Sequence, residues 1–184
     1  IRELEYAERR EIIRILTSFA NDIRPYIEDL WYSYEFLGEI DFIRAKALLT
    51  IEIDAIKPDM VSYQVIDWFR AIHPLLMKTL KKENRKIVPL NIRLTEERHI
   101  LLISGPNAGG KSVCLKTVGL LQYMLQCGLP IPISEGSRTG VFSRLFIDIG
   151  DEQSLENDLS TYSSHLLNMK HFVKFSDEKT LILI

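Results

Sequence analysis

The first third of the chain shows a helical pattern of hydrophobic positions. Between residues 3 and 49, apolar side chains recur in steps of three or four, which places them on one stripe of a helix. The stripe is formed by Ile12, Leu16, Phe19, Ile23, Ile27, Leu30, Tyr34 and Leu37. Pro25 removes a backbone donor and predicts a bend or a break. No second helix that would cover the stripe is found in the sequence. Two roles therefore stay open: packing on neighbouring elements, or an arm that links two domains.

From Lys57-Pro58-Asp59 onward, short mixed segments give way to an alternation of strands and helices. Apolar runs and alternating patterns predict strands over 87–94, 99–104, 141–149 and 180–184, and the strand at 99–104 is expected to be buried. Helices are predicted over 110–127 and 159–175. This alternation predicts an α/β fold with a mainly parallel sheet and helices on its faces. We expect a helical segment over 1–56 and an α/β domain over 57–184.

Basic residues are concentrated between residues 78 and 86, where five lysines and arginines accompany one glutamate. A solvated hairpin tip and a phosphate-binding patch both explain this charge. The pattern alone does not separate these two interpretations.

The overall composition is that of an ordinary globular protein. The chain has 184 residues, a formal net charge of −2 and a pI near 6.1, which argues against a dedicated basic nucleic-acid-binding module. Only Cys114 and Cys127 could form a disulfide, and no apolar run is long enough for a membrane span. These features predict a reduced cytoplasmic protein without membrane contact. Because the first residue is Ile, we expect the sequence to be a piece of something longer.

The strongest chemical signal is a glycine-rich loop that matches G-x-x-x-x-G-K-[ST]. It consists of Gly105, Pro106, Asn107, Ala108, Gly109, Gly110, Lys111 and Ser112. The loop lies between a predicted strand and a predicted helix, where a phosphate-binding loop must lie. Its amides would surround phosphate oxygens, Lys111 would reach the β- and γ-phosphates, and the Ser112 hydroxyl would coordinate Mg²⁺. A chance match is the alternative, and the strand–loop–helix context makes it rarer.

Other polar residues give weaker signals. Asp148, Asp151 and Glu152 follow a predicted strand and suit either a role in positioning Mg²⁺ or water or an ordinary loop. Asp158 or Ser160 could cap the following helix, whose start could equally hold an anion. The histidines and cysteines show no metal-ligand spacing, so no His or Cys metal site is predicted.

Taken together, several segments resemble the MutS-type ATPases. They are His73-Pro74-Leu75-Leu76, Val88-Pro89-Leu90-Asn91-Ile92, Ser104 to Pro132, Phe146 to His165, and the terminal TLILI. The segments DIGDEQS and LSTYSSH point to the second bacterial MutS paralogue, the branch without a mismatch-reading domain. The resemblance is strong over residues 70–184 and weaker over 1–56.

This resemblance implies an α/β P-loop NTPase fold of the ABC-like type, in which a parallel or mixed sheet has flanking helices and follows a long helical segment. It implies ATP and Mg²⁺ as cofactors. It implies a homodimer in which Ser160 and Thr161 contact the γ-phosphate bound by the other subunit. Ile87 and Val88 correspond loosely to the family's adenine-side contact. The implied function is ATP hydrolysis coupled to branched or duplex DNA in repair, mismatch binding or recombination control. An alternative is a nucleotide-gated interaction module whose partner is a machine such as the ribosome.

In the family, the strand equivalent to TLILI runs into an Asp-Glu pair that holds Mg²⁺ and activates water. Here Ile184 is the last residue, so we expect no catalytic residue within these 184 residues and negligible hydrolysis by this piece alone. The resemblance thus leads us to expect nucleotide binding without turnover.

Overall fold

The structure is a computed structural model that describes residues 2–106, 109–149 and 158–184. The chain divides into two compact units, Ile1–Ala47 and Leu48–Ile184. The domain boundary that we expect between residues 56 and 57 stays a prediction. No helix in the described ranges is both long and apolar enough to cross a membrane.

The predicted helical segment is present, and Pro25 interrupts it. Helix α1 spans Arg2–Ile23, a 3-10 turn follows over Arg24–Tyr26, and α2 spans Ile27–Glu52. The break forms because a proline inside an α-helix lacks the N–H that the helix ladder requires. The stripe residues other than Ile23 are between 49% and 73% exposed. Within the described chain the stripe is therefore left uncovered.

A four-stranded mixed sheet forms the larger sheet of the second unit. Its strands are β1 Asp59–Val61, β2 Ile66–Ala71, β3 Leu90–Leu94 and β4 Arg138–Gly140, in the order β1-β4-β2-β3. Strands β1 and β4 run parallel, whereas β2 is antiparallel to both β3 and β4. The expectation of mainly parallel pairing was therefore wrong for this sheet, whereas a mixed sheet is among the topologies that the resemblance implies.

The antiparallel register has a side-chain reason. Asp67 on β2 lies opposite Arg93 on β3 and opposite Arg138 on β4. Its buried carboxylate lies 3.1 Å from the Arg138 guanidinium and 3.8 Å from that of Arg93. A buried carboxylate needs such partners, so this arrangement fixes β2 between two arginine-bearing strands.

The second sheet confirms the predicted strand–helix–strand alternation. Strand β5, Arg144–Ile147, pairs in parallel with β6, Thr180–Leu183, and helix α5, Asp158–Phe175, connects them in sequence. The turn before β6 is held by Asp177, which accepts hydrogen bonds from Thr180 and from Arg144 of β5. These bonds lower the pKa of the Asp177 carboxyl, the contact with Thr180 contributing most. The two strands therefore meet in one fixed register.

Helix α4, Lys111–Gln126, packs closely on the smaller sheet and forms part of the core. A methyl group added at Gly119 would lie 3.0 Å from Leu183 Cδ1 and 3.1 Å from Ile147 Cδ1. The buried amide of Gln122 donates to the Gly140 carbonyl at 2.9 Å, and Gln126 accepts from the Phe142 amide at 2.9 Å. These contacts fix α4, and with it the position of the preceding loop.

Three predictions about this unit need correction. Residues 99–104 form no strand, and Ile100 and Leu102 are 83% and 89% exposed. No strand in the described ranges pairs with these residues. A strand that is apolar on both faces becomes buried only when neighbouring elements cover it. Strand β3 begins at Leu90 instead of residue 87, after Pro89, which has no N–H for a ladder. The basic stretch is not a hairpin tip, because Pro74–Lys82 forms helix α3.

Candidate nucleotide-binding site

The glycine-rich loop meets α4 through a backbone conformation that favours glycine. Gly110 is the N-cap of α4 and has a φ of 91°, in the left-handed region. The Gly109 amide donates to the Pro106 carbonyl at 3.1 Å, and a Cβ atom at Gly109 would lie only 2.9 Å from that oxygen. The loop thus turns too tightly for a side chain at Gly109. Asn107 and Ala108, also predicted site residues, lie outside the described residues.

The start of α4 presents backbone amides towards this turn. The first helical hydrogen bond runs from the Cys114 amide to the Gly110 carbonyl, at 2.9 Å. The amides of residues 112 and 113 precede that bond and therefore have no acceptor within the helix. Such a helix start carries a partial positive charge and suits an anion such as phosphate.

Lys111 adds a full positive charge to the loop. Its ammonium group donates to the Gly105 carbonyl at 2.7 Å and to the Pro106 carbonyl at 3.2 Å. The structure thus brings Gly105, Pro106 and Lys111 together across the turn. Ser112 follows in the first turn of α4 and is exposed. A narrow glycine turn, helix amides, an ammonium and a hydroxyl fit the phosphates and Mg²⁺ of a nucleotide.

The remaining predicted site residues lie on other elements. Ile87 and Val88 are in the irregular segment before β3, and Val88 is 89% exposed. Ser160 and Thr161 are in the first turn of α5, and their side chains lie outside the described part of the structure. Asp151 and Glu152 also lie outside it. The roles expected for these residues stay predictions.

Asp148 and His165 form a contact that the sequence did not reveal. Asp148 follows β5, and its Oδ2 atom lies 2.7 Å from Nδ1 of His165 on α5. The Asp148 side chain is only 10% exposed. The sequence leaves Asp148 open between positioning Mg²⁺ or water and an ordinary loop acid, and it gives His165 no metal-ligand spacing. Seventeen residues separate them, so only the fold brings them together.

His73 has a structural role at the start of α3. Its Nδ1 atom accepts a hydrogen bond from the Leu76 amide at 3.4 Å, which caps the helix. Burial lowers the pKa of His73, and the positive charge of Lys116 adds to the shift. The neutral ring is the form that caps the helix. In the described ranges, no group of three or more histidine, cysteine, aspartate or glutamate residues could hold a metal ion.

Comparison with known proteins supports the resemblance on independent grounds. The family model described as MutS domain V matches residues 101–184. Endonuclease MutS2 of Enterococcus faecalis is 42% identical over 183 residues, which cover 100% of this chain and 22% of that protein. Endonuclease MutS2 of Carboxydothermus hydrogenoformans is 42% identical over 184 residues, covering 100% of this chain and 23% of that protein. The chain therefore spans less than a quarter of the length of these curated relatives.

The glycine-rich loop before α4 and the domain V match define the chain as a member of the MutS class of proteins. The identity extends over the whole sequence, including the helical first unit. Within that class, the chain belongs to the MutS2 paralogue family.

Proposed function

We propose that the loop from Gly105 to Ser112 binds the triphosphate of Mg-ATP. The observation that carries this proposal is the arrangement at the start of α4. There a lysine ammonium, a left-handed glycine and the first helix amides meet within one turn. Anions bind where donors converge and carry net positive charge.

Each residue of the loop has a distinct part in this proposal. The glycines let the backbone approach phosphate oxygens, and the amides donate to them. Lys111 exchanges its carbonyl contacts for the β- and γ-phosphates, since a charged acceptor makes the stronger hydrogen bond. Ser112 supplies a hydroxyl ligand to Mg²⁺, which neutralises phosphate charge when it is bound.

We further propose that the natural protein carrying this sequence is an ATPase with the ABC-like P-loop fold. It acts as a homodimer, and Ser160 and Thr161 of one subunit contact the γ-phosphate bound by the other. Ile87 and Val88 lie beside the adenine. The MutS2 family membership and the phosphate-loop geometry support this assignment.

DNA, branched or duplex, is the partner we propose for that protein. ATP bound at the dimer interface would drive engagement of DNA in repair or recombination control. The uncovered apolar stripe of α1 and α2 supports a role for the helical unit in contacts with other segments.

The natural full-length protein tests this function when it is incubated with branched DNA, duplex DNA and ribosomes, with and without Mg-ATP. We expect nucleotide-dependent binding to DNA, and loss of that dependence in Lys111→Ala. Lys57→Ala, a lysine outside the loop, is the matched control and should behave as wild type. Nucleotide-dependent binding to ribosomes without binding to DNA would contradict the DNA assignment and favour an interaction module.

We also infer that a polypeptide of residues 1–184 binds nucleotide but hydrolyses it negligibly. This inference is supported by the family that the chain resembles, in which an Asp-Glu pair that holds Mg²⁺ and activates water follows the strand equivalent to 180–184. Holding Mg²⁺ and activating water each lower the free-energy barrier to ATP hydrolysis by several kcal/mol. Steady phosphate release by this polypeptide above that of its Lys111→Ala variant would contradict the inference.

A further inference from the structure

A polar pair joins the end of β5 to α5, away from the glycine-rich loop in sequence. The His165 Nδ1 atom lies 2.7 Å from Asp148 Oδ2. The Asp148 side chain is 10% exposed and that of His165 is 33% exposed. Because a carboxylate only accepts hydrogen bonds, the Nδ1 atom carries the hydrogen and donates it. A nearly buried carboxylate is costly without a partner, so folding favours this contact.

Both residues are attached to elements of fixed position. The Asp148 amide donates to the Leu183 carbonyl at 2.8 Å, at the end of β6. His165 lies seven residues before Phe172, which is two turns along the same face of α5. The Phe172 ring stacks on Phe146 of β5, with 4.9 Å between ring centroids and an angle of 6°. One polar and one aromatic contact therefore fasten the same face of α5 to the end of the small sheet.

Of these two contacts, the polar one between Asp148 and His165 lies nearer to the start of α5. Next to His165, Leu166 and Leu167 are 52% and 66% exposed, so these two residues hold the helix less firmly than fully buried ones would. Thr161 precedes His165 by four residues, one turn along the same face. Any rotation or lift of the helix at His165 therefore moves the backbone of the first turn.

We propose that Asp148 and His165 are positioning residues that hold the first turn of α5 in place. They act through the helix and not on the nucleotide. In the dimer, their contact sets the position from which Ser160 and Thr161 reach the γ-phosphate bound by the other subunit. This proposal rests on the proposed function, and it adds the link between the β5 end and α5.

The test compares variants of the natural full-length protein: Asp148→Ala, His165→Ala, the double variant, and Asp148→Asn. Leu167→Ala, an exposed change on the same helix, is the matched control. Three quantities are measured: kcat for ATP hydrolysis, Kd for Mg-ATP, and hydrogen exchange of the amides from 158 to 165.

We expect each single alanine variant to lose at least tenfold in kcat, and the double variant to lose no more than either. Kd for Mg-ATP should stay within twofold, because the loop before α4 is untouched. The amides from 158 to 165 should exchange faster in both alanine variants and normally in Leu167→Ala. Asp148→Asn keeps an acceptor oxygen and should retain more activity than Asp148→Ala.

Several results would overturn the proposal. They are an unchanged kcat, losses that multiply in the double variant, or an unchanged exchange rate in α5. A parallel rise in Kd would show a general structural defect instead. If one alanine variant does not fold, the other decides by the same criteria. If neither folds, His165→Phe, which keeps a ring but cannot donate to Asp148, decides in their place, and wild-type kcat and exchange in that variant count against the pair. If wild type itself neither binds nor hydrolyses Mg-ATP, the proposed function fails, and the exchange data separately decide whether the pair holds α5.

Discussion

At the residue scale, the glycine-rich loop depends on the absence of a side chain at Gly109. A Cβ atom there would meet the backbone oxygen of Pro106 at 2.9 Å, and a backbone atom cannot rotate away as a side chain can. The neighbouring Gly110 adopts a left-handed conformation that other residues adopt at a cost. The requirement for glycine at positions 109 and 110 therefore has a steric cause.

Gly109→Ala should weaken Mg-ATP binding while leaving the fold intact. The added methyl group forces the turn open and displaces the amides that would contact phosphate. We expect a loss of affinity of about tenfold or more, equivalent to about 1.4 kcal/mol. Because the loop is exposed, the free energy of unfolding should change by no more than about 0.5 kcal/mol. Titration with a fluorescent ATP analogue and denaturant unfolding measure the two effects.

Gly38→Ala is the control for that change, since nothing lies within 4 Å of a Cβ atom at Gly38 in α2. Its affinity for nucleotide should equal that of wild type. Equal affinity in Gly109→Ala would contradict the steric account of the loop.

His73 gives the chain a pH-dependent contribution to stability. Its pKa is lower in the folded chain than in the unfolded chain, so the unfolded chain binds the proton more readily. The full stability is therefore present above the unfolded pKa of about 6.5 and decreases as the pH falls through it. His73→Asn keeps a side-chain acceptor at the N-cap and does not titrate.

Denaturant unfolding of wild type and His73→Asn between pH 8 and pH 5 measures this contribution. The free energy of unfolding of wild type, taken relative to the variant, should fall as the pH decreases. A constant or rising difference would show that His73 is not held in its neutral form.

At the element scale, α4 connects the glycine-rich loop to the core. Gly119 allows the helix to approach β5 and β6 closely, and Gln122 donates a hydrogen bond to the buried carbonyl of Gly140, in β4. The position of Gly110, at the start of α4, is thus determined by packing about two to three turns away.

Gly119→Leu should destabilise the second unit by about 1–3 kcal/mol, because the larger side chain overlaps Leu183 and Ile147. Intrinsic helix propensity opposes this effect with about 1 kcal/mol. Adding Leu183→Ala should recover part of the loss by making room. Thermal unfolding followed by circular dichroism measures both variants. A Gly119→Leu variant as stable as wild type would contradict the close packing.

Elements defined by local signals were predictable, and elements defined by distant partners were not. The helix predicted over 110–127 is α4, Lys111–Gln126, because apolar periodicity and the glycines at both ends are local. Strands β1 and β4 have three residues each and exist through pairing across about eighty positions. The run at 99–104 has a strand's composition, but in the described ranges no partner strand accompanies it.

In the candidate site too, features encoded by neighbouring residues were predictable, and features that depend on distant residues were not. The sequence predicted the loop, because its chemistry is contiguous, and the structure supplied the steric role of Gly109. The Asp148–His165 contact was not predictable, since the two residues belong to separate motifs, DIGDEQS and LSTYSSH, and meet only when α5 packs on β5.

At the scale of the whole molecule, the two units differ in how they are stabilised. The second unit has a mixed core from both sheets and α4, which includes Trp68, Leu121 and Leu183. The first unit leaves the apolar stripe of its helices exposed, including Phe19 and Leu37 at 62% and 63%. The second unit is therefore stabilised by its own core, whereas the first unit carries an exposed apolar surface.

The central claim, that the loop from Gly105 to Ser112 holds the triphosphate of ATP, is tested most directly by calorimetric titration of the natural full-length protein with Mg-ATP. We predict saturable binding by wild type, at least about tenfold weaker binding by Lys111→Ala, and wild-type affinity in Lys57→Ala. Equal affinities in wild type and Lys111→Ala, or no detectable binding by wild type, would contradict the claim.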